Sequence, residues 1–222
     1  MKNFALFSKA IKLLGAVALF GALNASAFTE GTDYVKLEKP LTNAENTLIK
    51  IFSYDCPFCY KYEKSVTPKV VEKTKDTVKF IPYHLKTKGK YGELGSQFFA
   101  YLYVKDTDAG VDLFSDKSLL KKAKMAYYKA YHDQKERWSD GKDPDAFLKT
   151  GLDATGVSKA DFEAGVKDQK VQDILKLWGE SYDVAKIQGV PAFVVNGKYL
   201  IYTKSISSID GMVDLVKELA KK

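Results

Sequence analysis

The stretch that decides the fold is Thr47-Leu-Ile-Lys-Ile-Phe-Ser-Tyr54, followed by Cys56-Pro57-Phe58-Cys59 and then by Tyr60-Lys-Tyr-Glu-Lys-Ser-Val66. The first segment has the mostly apolar character of a buried β-strand, and the last predicts a helix. A strand that leads into a helix places Cys56 at the helix N-terminus, where free N–H groups and the helix dipole stabilise negative charge. The thiolate is the reactive form of cysteine, and two cysteines three positions apart on one turn can also form a disulfide with each other.

Cys56 and Cys59 are the only cysteines in the 222 residues of the chain. A structural disulfide explains them poorly, because a bridge between such close positions closes a very short loop and stabilises little. A zinc site is equally poor, because tetrahedral zinc needs four ligands and only His84 and His132 could join the two thiols. The sequence therefore predicts redox chemistry at these two cysteines, with no metal and no cofactor.

The first 27 residues have the three parts of a signal peptide. Three lysines precede an apolar stretch over residues 13–23, and Ala25-Ser26-Ala27 gives a small–x–small cleavage pattern. The apolar stretch is shorter than the roughly 20 residues that span a bilayer, which argues against a membrane anchor. We therefore expect export, cleavage after Ala27 and a mature chain that begins at Phe28.

The charge of the chain is mildly basic and evenly distributed. The formal net charge is +7, and removal of the three leader lysines, with no acidic residue lost, leaves +4. Lysines alternate with Asp and Glu along the chain, and no dense basic block occurs. This distribution argues against nucleic acid as a partner.

The period of the apolar pattern changes twice along the chain. Strands are predicted before residue 86, with Pro82 suggesting an end or an irregular point in the last of them. From about residue 87 to 183 the pattern is helical. A strand pair around an Asn196-Gly197 turn and an amphipathic helix then close the chain. The pattern predicts an α/β fold in which a sheet domain, residues 28–86 and 184–222, is interrupted by an all-helical domain, residues 87–183.

Two separated motifs carry a family resemblance. A Cys-Pro-x-Cys sequence at a strand-to-helix junction, together with Gly189-Val190-Pro191-Ala192 ahead of a hairpin, resembles the thioredoxin superfamily. The helical insertion resembles its DsbA family, and the Cys-Pro-Phe-Cys motif, Glu30-Gly-Thr-Asp-Tyr34 and residues 127–140 look similar to the DsbL branch. The resemblance covers nearly the whole mature chain and implies a thioredoxin-like fold with an inserted all-helical domain.

The resemblance also implies roles for individual residues. Cys56 would be the exposed catalytic thiolate and Cys59 its buried disulfide partner, with Pro57 and Phe58 between them modulating the site. Val190–Pro191 would be a cis peptide that faces the cysteines, so that the Val190 backbone could pair with an extended substrate.

The implied activity is that of a monomeric periplasmic thiol:disulfide oxidase acting on reduced exported proteins, among them possible clients of the arylsulfate sulfotransferase type. A quinone-linked membrane oxidase of the DsbB or DsbI type would reoxidise it. Two alternatives remain open from the sequence. One is a disulfide isomerase or reductant, although family isomerases usually add a dimerisation domain. The other is a peptide-binding chaperone without catalysis.

One position departs from the family pattern. DsbA-type proteins commonly carry a semi-buried acid six residues before the first cysteine, where this chain has Lys50, and a partner lysine where it has Pro82. Lys50 could lie beneath the active site and stabilise the thiolate, or its charged end could extend to solvent. His84 is expected in the core, and the sequence leaves open whether Trp138 and Trp178 line a substrate groove.

Overall fold

The computed structural model describes residues 27–222, so that residues 1–26 of the expected signal peptide lie outside the description. Within this range, five strands form one mixed sheet in the order β1-β5-β4-β2-β3. Their bounds are Tyr34–Lys36 for β1, Thr47–Phe52 for β2, Lys79–His84 for β3, Ala192–Val195 for β4 and Tyr199–Ile201 for β5. Strands from both ends of the chain therefore share one sheet.

Strand β2 is central to the arrangement of the site. It pairs with β3 in parallel and with β4 in antiparallel orientation, and all six of its residues are buried. Burial on both faces explains why its sequence is almost continuously apolar rather than alternating.

Strand β3 passes through Pro82, which corrects the prediction that the strand ends or becomes irregular there. The reason is the position of β3 at the edge of the sheet. An edge strand has one side without a neighbour, so that a residue without an N–H group is tolerated. Pro82 lies opposite Lys50 in the register, as the family pattern implies.

The helices that follow the chain order are α1 (Pro57–Ser65), α2 (Thr67–Thr74), α3 (Gly92–Asp108), α4 (Leu119–Tyr128), the single turn α5 (Trp138–Gly141), α6 (Pro144–Thr155), α7 (Lys159–Gly165), α8 (Gln169–Gly179), α9 (Ser181–Gln188) and α10 (Ile209–Leu219). A π-helical turn, Lys129–Asp133, extends α4.

The helix expected over residues 56–72 is divided in two at Val66. Pro68 follows in the first turn of α2, where a missing N–H group is tolerated, whereas inside one long helix its ring would clash with the preceding turn. At the other end of the helical block, α9 continues across position 183 to Gln188. It stops at Gly189, whose φ of 79° favours glycine.

The sheet buries a core on each of its faces. Ile49 and Ile51 of β2 pack towards the helical block, and Leu48 packs in the cluster that contains Val70 of α2 and Met212 of α10. Since side chains alternate along a strand, Lys50 points to the same side as Leu48. No helix within residues 27–222 is long and apolar enough to cross a membrane.

Candidate active site

Cys56 caps the N-terminus of α1. Its backbone is extended, with φ −92° and ψ 115°, and its Sγ accepts a hydrogen bond from the backbone N–H of Cys59 over 3.3 Å. Pro57 follows at the first helical position, where no N–H group is needed. The Cys-Pro-x-Cys sequence thus makes its own helix cap, with sulfur in the place of the usual side-chain oxygen. Both cysteines are free thiols in this structure.

Cys56 is only 3% exposed, which corrects the expectation of an exposed thiol. The covering group comes from the distant end of the sheet domain, because the Cys56 thiol donates a hydrogen bond to the carbonyl oxygen of Val190 over 3.1 Å. Phe58 is the outward-facing residue of the motif and is 64% exposed. Cys59 is completely buried, as expected.

The Val190–Pro191 peptide bond is cis, as predicted. The next residue, Ala192, begins β4 and lies opposite Ile51 of β2, the strand that leads to Cys56. Pairing of these two strands therefore brings the Val190 carbonyl to the Cys56 sulfur, across 134 positions of sequence.

The two thiols differ strongly in acidity. A hydrogen bond with the Cys59 thiol, helped by the backbone N–H groups of Cys59 and Phe58 and by the charge of Lys88, outweighs burial and lowers the pKa of Cys56 to about 7. Burial, together with the neighbouring Cys56, raises the pKa of Cys59 well above its ordinary value, although the charge of Lys50 opposes the rise. The reduced pair therefore carries its negative charge on Cys56 and its proton on Cys59.

Lys50 does not reach solvent: it is 1% exposed, and this rules out the solvent-facing alternative. Its Nζ lies 2.6 Å from Oε2 of Glu63 and donates to Oγ1 of Thr67 over 3.0 Å. The other carboxylate oxygen of Glu63 lies 2.6 Å from Nζ of Lys124. We call Lys50, Glu63 and Lys124 the buried charge cluster.

The buried charge cluster has one carboxylate between two ammonium groups. Burial alone would raise the pKa of Glu63, but the charges of Lys124 and Lys50 outweigh it and lower the pKa to about 2. Burial, with a smaller repulsion from Lys50, lowers the pKa of Lys124 despite the attraction of Glu63. An acid is thus present near the cysteines, but it comes from α1 and not from the strand position that Lys50 occupies.

The sequence analysis missed Glu63 and Lys124. A signal for Glu63 was available, because it follows Cys59 by four residues and therefore lies on the same face of α1. Lys124 gave no comparable signal, since it lies 61 positions from Glu63 on another helix.

His84 has the core role that was expected. It is fully buried, its Nε2 accepts a hydrogen bond from the N–H of Tyr54, and its Nδ1 lies 2.8 Å from Oγ of Ser96. Burial lowers its pKa to about 3, so that the ring is neutral. Trp138 and Trp178 are 3% and 2% exposed, and neither lines the groove beside Cys56.

That groove is open and has a volume of about 560 Å³. Cys56 and Val190 form one side, and the exposed rings of Phe58 and Tyr182 contribute apolar surface. Lys88 and Lys186 also line it. A groove with exposed aromatic rings and a backbone carbonyl next to a thiol is suited to an extended peptide.

Comparisons with known proteins agree with this arrangement. A family model described as thioredoxin matches residues 41–215. The chain is 65% identical over 214 residues to the thiol:disulfide interchange protein DsbL of Escherichia coli O6:H1, with 96% of each chain covered. The crystal structure of DsbL from Salmonella enterica serovar Typhimurium superposes with a TM-score of 0.88 at 67% identity, covering 89% of this chain and 100% of that one. A structure of reduced DsbL gives 0.87 at 68% identity, with 88% and 100% covered.

The motif, the cis peptide beside it and the similarity over nearly the whole chain point to one family. The chain belongs to the DsbA family of thiol:disulfide oxidoreductases within the thioredoxin superfamily, and it is similar to the DsbL members of that family.

Proposed function

We propose that this oxidoreductase works as a dithiol oxidase that donates the Cys56–Cys59 disulfide to exported proteins. A substrate thiolate attacks Sγ of Cys56, the bond to Cys59 breaks, and a mixed disulfide with Cys56 forms. A second substrate thiolate then attacks the substrate sulfur of that bond. It leaves with a new substrate disulfide and returns Cys56 as a thiolate.

The observation that carries this proposal is the difference in acidity between the two thiols. A Cys56 pKa of about 7 makes its thiolate a good leaving group in the second step and stabilises the reduced pair. A protein whose reduced form is stabilised gives up its disulfide readily. Pro57 supports this by starting α1 at Cys56, and the Phe58 N–H adds to the stabilisation of the thiolate.

Val190 and the groove support the recognition of unfolded substrates. The Val190 carbonyl lies 3.1 Å from the Cys56 sulfur, so that a peptide paired with this backbone would have a cysteine next to the disulfide. Pro191 sets the position of Val190 at the start of β4. Backbone pairing is independent of side chains, which suits an enzyme that acts on unfolded chains.

The proposal includes a location and partners. The expected signal peptide, cleaved after Ala27, would deliver the protein to the periplasm as a monomer. Its substrates would be reduced exported proteins, an arylsulfate sulfotransferase being one candidate. A quinone-linked membrane oxidase of the DsbB or DsbI type would restore the disulfide.

The test is equilibration with a glutathione redox buffer, followed by transfer to a reduced unfolded protein. We expect the pair to be more oxidising than glutathione and the Cys59→Ala variant to accumulate mixed disulfides at Cys56, whereas Cys56→Ala accumulates none at that position. A potential more negative than that of glutathione would indicate a reductant. A stable dimer that refolds scrambled substrates would indicate an isomerase, and binding without any exchange would indicate a chaperone.

A further inference from the structure

The hydroxyl group of Tyr128 is buried and has no hydrogen-bond partner among the described residues. Buried polar groups are nearly always paired, because an unpaired one costs free energy. The neighbouring Tyr127 follows that rule, since its hydroxyl donates to the carbonyl oxygen of Phe147 over 3.1 Å. The Tyr128 hydroxyl therefore needs an explanation that the resting structure does not supply.

The position of Tyr128 follows from the way that α4 packs against α1. Lys124 of α4 pairs with Glu63 of α1, and the Tyr128 ring stacks on Tyr60 with 5.2 Å between ring centroids. Moving up α4 therefore means moving down α1. Tyr128 lies one turn after Lys124 and Cys59 one turn before Glu63, so that Tyr128 is level with Cys59.

The electrostatics agree with this placement. Burial is the main reason why the pKa of Tyr128 is raised, and Cys59 is the charge that raises it most. A raised pKa keeps the phenol protonated, and a protonated phenol can donate a hydrogen bond.

The proposed oxidase reaction, on which this inference rests, creates a negative charge next to this donor. When a substrate thiolate attacks Cys56, the disulfide bond breaks and its electron pair stays on the Cys59 sulfur. Cys59 is completely buried, so that water cannot stabilise the thiolate. A preorganised donor in such a site stabilises developing charge strongly.

We propose that the Tyr128 hydroxyl donates a hydrogen bond to the Cys59 thiolate as it leaves, which makes Tyr128 a catalytic residue for opening the disulfide. The phenol keeps its proton in this step, and no other group is consumed. The hydroxyl is unpaired at rest because its partner exists as an anion only during the reaction.

The test is Tyr128→Phe, which removes one oxygen and keeps the ring that stacks on Tyr60. We expect the second-order rate constant for reduction of the oxidised protein by glutathione to fall about tenfold, as for loss of a hydrogen bond to a charged group. Stability towards urea should not fall, because the resting structure loses no hydrogen bond. Tyr127→Phe is the matched control, for which we expect lower stability and an unchanged rate.

A second measurement does not depend on disulfide transfer. In a Cys56→Ala background, the ¹³Cβ chemical shift of Cys59 reports its ionisation, and Tyr128→Phe should raise its pKa by about one pH unit, the equivalent of a tenfold effect. A reduction rate within twofold of the wild type, or an unchanged Cys59 titration, would overturn the role of Tyr128. Failure of the wild-type protein to oxidise protein substrates would instead overturn the proposed function.

Discussion

The Nζ of Lys50 lies 2.6 Å from Oε2 of Glu63, and both side chains are buried. This ion pair joins β2, the strand that leads to Cys56, to α1, the helix that carries both cysteines. Lys124 adds α4 to the same carboxylate. The buried charge cluster therefore fixes three elements relative to one another under the redox motif, while leaving one positive charge in excess.

Replacing Glu63 by Gln should destabilise the protein strongly. The substitution leaves two buried ammonium groups without a counter-charge, and breaking a buried ion pair in this way costs about 3–5 kcal/mol. The measurement is urea unfolding of the reduced protein at pH 7. Glu72→Gln is the control, because its partner Lys75 is exposed and such pairs contribute about 0–1 kcal/mol. Similar losses for the two variants would show that the cluster contributes little to stability.

Lys50→Met should make the protein a weaker oxidant. The charge of Lys50 counteracts the rise in the pKa of Cys59, so its loss disfavours negative charge in the reduced pair. We expect the reduction potential to become more negative by about 10–30 mV, on the scale where 30 mV corresponds to about 1.4 kcal/mol. Equilibration with glutathione measures it, and Lys73→Met, in an exposed pair with Asp210, is the control. An unchanged potential would limit Lys50 to a structural role.

Lys88→Gln should raise the pKa of Cys56 by a fraction of a pH unit. The positive charge of Lys88 favours the thiolate, and its loss also frees the carboxylate of Asp55, which lies 3.5 Å from Lys88. Because the Lys88 side chain is 41% exposed, the effect should shrink as salt is added. Lys86→Gln should change nothing. A Cys56 titration that is the same in both variants would contradict this account.

The reduced protein should gain stability between about pH 7 and pH 9 because of Cys56. The pKa of this thiol is about 7 in the folded state and 9.0 without the fold, so that only the folded state holds the anion in this window. The gain is complete above the unfolded value, is lost as the pH falls through 7, and amounts to about 2 kcal/mol. Urea unfolding of the wild type and of Cys56→Ser, compared from pH 6 to 9, should show diverging free energies. Parallel curves would refute it.

Much of the fold could be predicted because its signals are local. The apolar run of β2, the Cys-Pro-x-Cys at its end and the Asn196-Gly197 turn each depend on neighbouring residues. The fate of Lys50 could not be predicted, since it depends on Glu63 and Lys124, which only tertiary packing brings together. The burial of Cys56 has the same cause, because its cover is the Val190 carbonyl.

The most direct test of the account is titration of the Cys56 thiolate in the reduced protein. Absorbance near 240 nm, followed against pH and compared with Cys56→Ser, isolates this one group. The account predicts a midpoint at about pH 7, because the start of α1, the Cys59 thiol and Lys88 all favour the anion. A midpoint near 9, the ordinary value for a thiol, would contradict it.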